Sequence, residues 1–121
     1  MKPKLLVLLS LTAAVAGSAA LAEFKQVKKE SQFQQQIVDR KLVGANGDWT
    51  IIKADGSQSG EFNGNKYVGS WKWSGKYWCR NGVIGGRELG TNCQLVEVDG
   101  NSVRFIRDKG KGKVSVALTI E

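Results

Sequence analysis

The chain has 121 residues and no histidine, and its 18 Lys and Arg against 11 Asp and Glu give a formal net charge of +7. The missing imidazole excludes Ser-His and Cys-His nucleophile pairs and the commonest general base, and it leaves too few ligands for a usual zinc site. The length excludes more than one sizeable domain.

Lys2 and Lys4 form a basic start, Leu5 to Ala16 is an apolar run, and Ala20-Leu21-Ala22 puts small residues where a signal peptidase reads. That run is shorter than the roughly 20 residues of a spanning helix, and no cysteine follows for a lipid anchor. Residues 1–22 are therefore expected to be a cleaved signal peptide. The mature chain, residues 23–121, is expected to begin at the Ala22/Glu23 junction as one domain without a transmembrane segment, in a periplasmic or secreted location. Setting aside Lys2 and Lys4 leaves 16 basic residues against 11 carboxylates, a net of +5. The excess lies at Lys25, Lys28 and Lys29 and at Arg104, Arg107, Lys109, Lys111 and Lys113. In an exported chain this suggests anionic envelope lipid, glycan or an acidic protein rather than nucleic acid. A merely solvated charged surface is the plainer alternative.

Residues 23–29 read as polar and loosely held. Ser31 and Gln34 match a capping box, and Phe33, Ile37 and Val38 recur at helical spacing, so a short amphipathic helix is expected over 32–40. Such a helix is too short to stand alone and is expected to plug one end of a sheet. Gly44 and Asn46-Gly47 stop it, with Lys41-Leu42-Val43 as an alternative start for the sheet. From Asp48 the punctuation is β. Trp49 to Lys53 alternates, with Trp49 and Ile51 on one face, and Asp55-Gly56 and Asn63-Gly64 mark turns around a weak strand over 57–62.

Lys66 to Gln94 is the centre of the chain. Tyr67, Gly69, Trp71 and Trp73 alternate with Val68, Ser70 and Lys72. Ser74-Gly75-Lys76 turns the chain into a second strand over 77–80, and a third begins at Cys93. Two cysteines in an exported chain of this size read as a disulfide between Cys79 and Cys93. Strands over 93–98 and 102–107 follow, then a last strand in which Val114, Val116, Leu118 and Ile120 alternate with polar and small residues. About seven short strands imply a mainly all-β fold: an antiparallel meander rolled into a small barrel, or else a sandwich. Trp71 and Trp73 then either fill the barrel or line an open mouth, and Trp78 is placed nearer the surface.

Chemical motifs are sparse. Asp48, Asp55, Asp99 and Asp108 sit in or beside Gly-rich turns, where Asp has a structural reason to be. The glycine run over 82–90 has the wrong spacing for a dinucleotide loop and no helix after it. It reads as a flexible connection with Arg87 exposed at its tip. Arg80 and Gln94 each follow a cysteine, so a Cys79–Cys93 bond would bring both out near each other on the opposite face. There they either bind a carboxylate or a sugar, or hydrogen-bond each other. The candidate binding residues are Tyr77, Trp78, Arg80, Arg87, Gln94 and Arg104; no catalytic residue, metal or cofactor is expected.

The combination of G-x-W-x-W (Gly69 to Trp73), Y-W-C-R (Tyr77 to Arg80), N-C-Q (Asn92 to Gln94) and V-R-F-x-R-D-x-G-x-G (Val103 to Gly112) resembles a group of small exported alphaproteobacterial proteins. The resemblance covers nearly all of residues 23–121 and implies an envelope location. Members of the group often carry the name dihydrodipicolinate reductase, which implies a cytoplasmic NAD(P)H enzyme with a dinucleotide-binding fold. The glycine fingerprint and the histidine for such chemistry are absent from this chain. The residues instead suggest a non-enzymatic, monomeric, periplasmic binding or inhibitor-type module whose ligand is a small molecule, a glycan or an envelope protein. The alternative is an accessory protein of the envelope surface that touches anionic lipid or glycan through its basic loops.

Overall fold

A computed structural model describes residues 23–121; the expected signal peptide lies outside the described residues. The described residues form nine strands: β1 (Lys25–Val27), β2 (Lys41–Val43), β3 (Trp49–Ile52), β4 (Ser57–Phe62), β5 (Asn65–Ser74), β6 (Tyr77–Ile84), β7 (Arg87–Asp99), β8 (Ser102–Ile106) and β9 (Leu118–Ile120). Every pairing is antiparallel. The order β7-β6-β5-β4-β3-β2-β9-β8 closes through a β7–β8 pairing, so eight strands make a barrel. β1 is the extra strand, pairing with Val96 to Val98 of β7 beyond the stretch that β6 occupies. Closure removes the sheet edges that a meander of this length would otherwise expose. Among the described residues no helix is long and apolar enough to cross a membrane.

The helix α1 (Glu30–Gln36) starts and ends earlier than the apolar spacing suggests. Its first turn is held by Gln32, whose Oε1 accepts from the Lys28 and Lys29 N–H groups at 3.3 and 3.4 Å, rather than by a Ser31/Gln34 box. It ends at Ile37, whose φ of −124° leaves the helical region, and two residues on Asp39 is left-handed (φ 66°), with its carboxylate accepting the Ala54 N–H at 2.9 Å. Phe33, Ile37 and Val38 nevertheless all face inward and are buried. The Phe33 ring lies 5.4, 5.1 and 6.5 Å from those of Trp71, Trp73 and Trp78, so α1 does plug one end of the barrel.

Three further expectations are corrected. Residues 25–27 are not loose but form β1, Lys41-Leu42-Val43 supplies β2 as the eighth barrel strand, and the glycine run is not a flexible connection. There β6 and β7 continue the cysteine-bearing hairpin to a two-residue turn at Gly85-Gly86, where positive φ (56° and 82°) matches the twist of the flanking strands. Arg87 is exposed beside that turn. The alternation on β3 holds: Trp49 and Ile51 share one half-buried face, and the inward face is Thr50 and Ile52. The last strand shrinks to three residues. Lys113 to Ala117 has only one bridge, from Val114 to Ile106, because no second neighbour is there to cover Val114 and Val116, which are exposed.

The turn that displaces this segment is α2 (Arg107–Gly110), in which Asp108 and Lys109 hold positive φ (55° and 56°). Two left-handed non-glycine residues in a row are costly and need outside support. Asn92 of β7 supplies it: its Nδ2 donates to Asp108 Oδ1 at 2.8 Å, and its Oδ1 accepts the Asp108 N–H at 3.1 Å. Asn92 and Asp108 belong to two separate sequence motifs that this contact joins.

Candidate functional site

Alternation along the two long central strands decides what enters the barrel. On β5 Tyr67, Gly69, Trp71 and Trp73 point inward, and on β6 Trp78, Arg80, Gly82 and Ile84 do. Trp78 is 5% exposed and its ring centroid lies 4.7 Å from that of Phe105. It belongs to the core, not to the surface expected from the sequence. Trp71 is 8% exposed and donates its Nε1–H to the Lys53 carbonyl at 2.8 Å, whereas Trp73 is only partly buried.

Cys79 and Cys93 are directly opposed across β6 and β7 and are bonded. The residues after them, Arg80 and Gln94, therefore do share the other face. That face is the barrel interior, where both are buried. Arg80 stands opposite Asn92 and Gln94 opposite Trp78, a diagonal arrangement rather than a direct pair.

Trp78, Arg80 and Gln94 line a cavity of about 440 Å³, to which no residue of α1 contributes. Trp78 and Phe105 lie at its inner wall, and Ile84, Leu89 and Leu118 add apolar surface. It opens to solvent past Lys113, Val114 and Val116, all exposed. A polar chain runs up one side: Tyr67 Oη donates to Gln58 Oε1 at 3.4 Å, Gln58 Nε2 donates to Thr50 Oγ1 at 3.0 Å, and Thr50 Oγ1 donates to the Ser59 carbonyl at 2.7 Å. The Tyr67 ring occupies the space over Gly69 and Gly82; a Cβ at either glycine would fall 2.5 Å from its hydroxyl. Burial pushes the Tyr67 hydroxyl above its usual range, opposed by the nearby Arg80 charge, so the phenol stays a neutral donor.

Charge in the cavity is one-sided. Arg80, Arg107 and Lys113 face a single carboxylate, Asp48, which already accepts the Asn63 N–H at 2.9 Å. Arg80 Nη1 donates to the Gly90 carbonyl at 2.9 Å. Burial pulls its guanidinium down from the ordinary arginine value, Tyr67 opposes this, and the Arg107 charge reinforces it. Trp78 Nε1 is buried without a hydrogen-bond partner among the described residues.

Of the six candidate binding residues, the cavity unites Trp78, Arg80 and Gln94. The other three stand apart from it. Tyr77 lies between Lys76 and Lys109, whose Nζ atoms are 5.9 and 5.7 Å from its ring centre. Arg87 is exposed at the hairpin turn, and Arg104 pairs with Glu97 at 2.7 Å while lying 3.9 Å above the Phe24 ring. Sequence reasoning passed over Thr50, Gln58, Tyr67, Arg107 and Lys113 as cavity residues. The signal for Tyr67 was present in Gly69 and Gly82, since an isolated glycine within a strand marks a close approach. Compared with known proteins, the chain matches no family model, no curated protein and no solved structure.

Proposed function

We propose that the protein is a non-enzymatic, exported binding module that takes a small ligand into the open cavity of its barrel. The observation that carries this reading is the cavity itself. Its volume of about 440 Å³ falls within the roughly 300–1,000 Å³ common for small-molecule sites, and its mostly apolar wall with a few convergent polar groups has their usual character. Side chains fill the end of the barrel that α1 plugs and leave this cavity open. Two features support export. The Cys79–Cys93 bond is of a kind that persists in oxidising compartments. The Glu23 N–H donates to Asp99 Oδ2 at 3.1 Å, so cleavage after Ala22 would create an ammonium group beside a carboxylate.

Titration with Nile red, a neutral apolar dye, tests the reading on the purified, oxidised protein. One saturable site is expected, with dye emission rising and Trp78 emission quenched. Ile84→Trp, which puts bulk on the cavity wall, is expected to abolish the signal. Absence of saturable binding by the parent, or equal binding by Ile84→Trp, would overturn the proposal.

A further inference from the structure

The geometry points to a ligand with an anionic head, a carboxylate on an apolar body, whose head is held by Arg80. This rests on the reading of the cavity as the ligand site, and it names the chemistry of what enters. Arg80 is 6% exposed, and a cation so withdrawn from water is costly unless it is paired. Among the described residues the one ion pair is Arg104–Glu97, on another part of the barrel. The carboxylate that shares the cavity lining, Asp48, accepts the Asn63 N–H and makes no ion pair with Arg80.

Arg80 has five N–H groups, and the bond to the Gly90 carbonyl uses one. That bond gives a structural reason for a hydrogen-bond donor at this position. It does not require a full positive charge, which a neutral amide would avoid. The planar guanidinium fork matches the two oxygens of a carboxylate.

One neighbour adds to the complementarity. Gln94, buried on the same wall, makes no side-chain hydrogen bond among the described residues and can donate through its amide. Arg107 and Lys113, also in the lining, keep the potential positive toward the opening. The apolar residues Ile84, Leu89, Phe105 and Leu118 supply a surface that a sugar would not use. The combination favours an amphipathic carboxylate over a neutral glycan.

The test compares two probes of one chain length, decanoate and 1-decanol, by displacement of Nile red from the oxidised protein at neutral pH and low salt. Decanoate is expected to bind tighter by about tenfold or more, the ordinary effect of a charge-assisted hydrogen bond. In Arg80→Met most of that preference is expected to be lost, the remainder being the field of Arg107 and Lys113, while decanol still binds. Equal affinity for the two probes in the parent would overturn the anionic head and leave the cavity reading standing. Failure of both probes to displace the dye, or failure of the dye itself, would remove the cavity reading and this inference with it. The comparison on the parent protein holds its force even if Arg80→Met does not fold.

Discussion

Truncating Phe33 to alanine probes the device that closes one end of the barrel. The side chain is fully buried, and its ring touches three indoles held on β5 and β6, with centroid distances of 5.1 to 6.5 Å. Cutting Phe to Ala in a core costs roughly 3–5 kcal/mol, the loss rising with the cavity that remains. Indoles fixed on paired strands collapse poorly into such a gap, which puts the expected cost near the middle of that range, about 4 kcal/mol. The helix that carries Phe33 has seven residues and no independent stability in water. Losing its anchor therefore also loosens α1. With a urea dependence of about 1.5 kcal/mol per molar, the midpoint should fall by roughly 2.5 M. The assay is urea unfolding of the oxidised protein followed by tryptophan emission, beside Gln35→Ala on the exposed face of the same helix. The control should stay within about 0.5 kcal/mol of the parent. A Phe33→Ala midpoint no lower than that of the control would refute the plug.

The tryptophans should separate by burial: Trp71→Ala and Trp78→Ala are each expected to cost about 3–5 kcal/mol, while the partly exposed Trp73 should cost less, all read from the same unfolding curves. Equal losses at all three positions would contradict the assignment of faces. Gly82→Ala places a Cβ 2.5 Å from the Tyr67 hydroxyl and is expected to cost about 1–3 kcal/mol by overpacking. Added to Tyr67→Ala it should cost much less, and additivity in that cycle would show that the tyrosine is not what the glycine accommodates.

Much of the fold follows from local chemistry. Alternation and Asp-Gly or Asn-Gly turns are local properties of the backbone, so the strands around Trp71, the hairpin through Ser74 and the antiparallel class were legible in the residues alone. The Cys79–Cys93 bond was legible too, since two cysteines leave one pairing. The shared burial of Phe33, Ile37 and Val38 was legible as well, although only Phe33 lies within the helix and the other two follow in the turn after it. Where local patterns competed with partners distant in the chain, the partners prevailed. Val114 and Val116 alternate as well as any pair here. They stay exposed because the turn at Asp108, held by Asn92 from another strand, leaves their segment bridged to β8 alone rather than paired on both sides. Trp78 looked peripheral beside Arg80, yet period two puts both on one face, and only barrel closure decides which face is inside. The cavity was the least legible feature. Thr50, Gln58, Tyr67, Arg80, Gln94 and Lys113 come from six separate segments, and no spacing along the chain records that a closed sheet brings their side chains around one space.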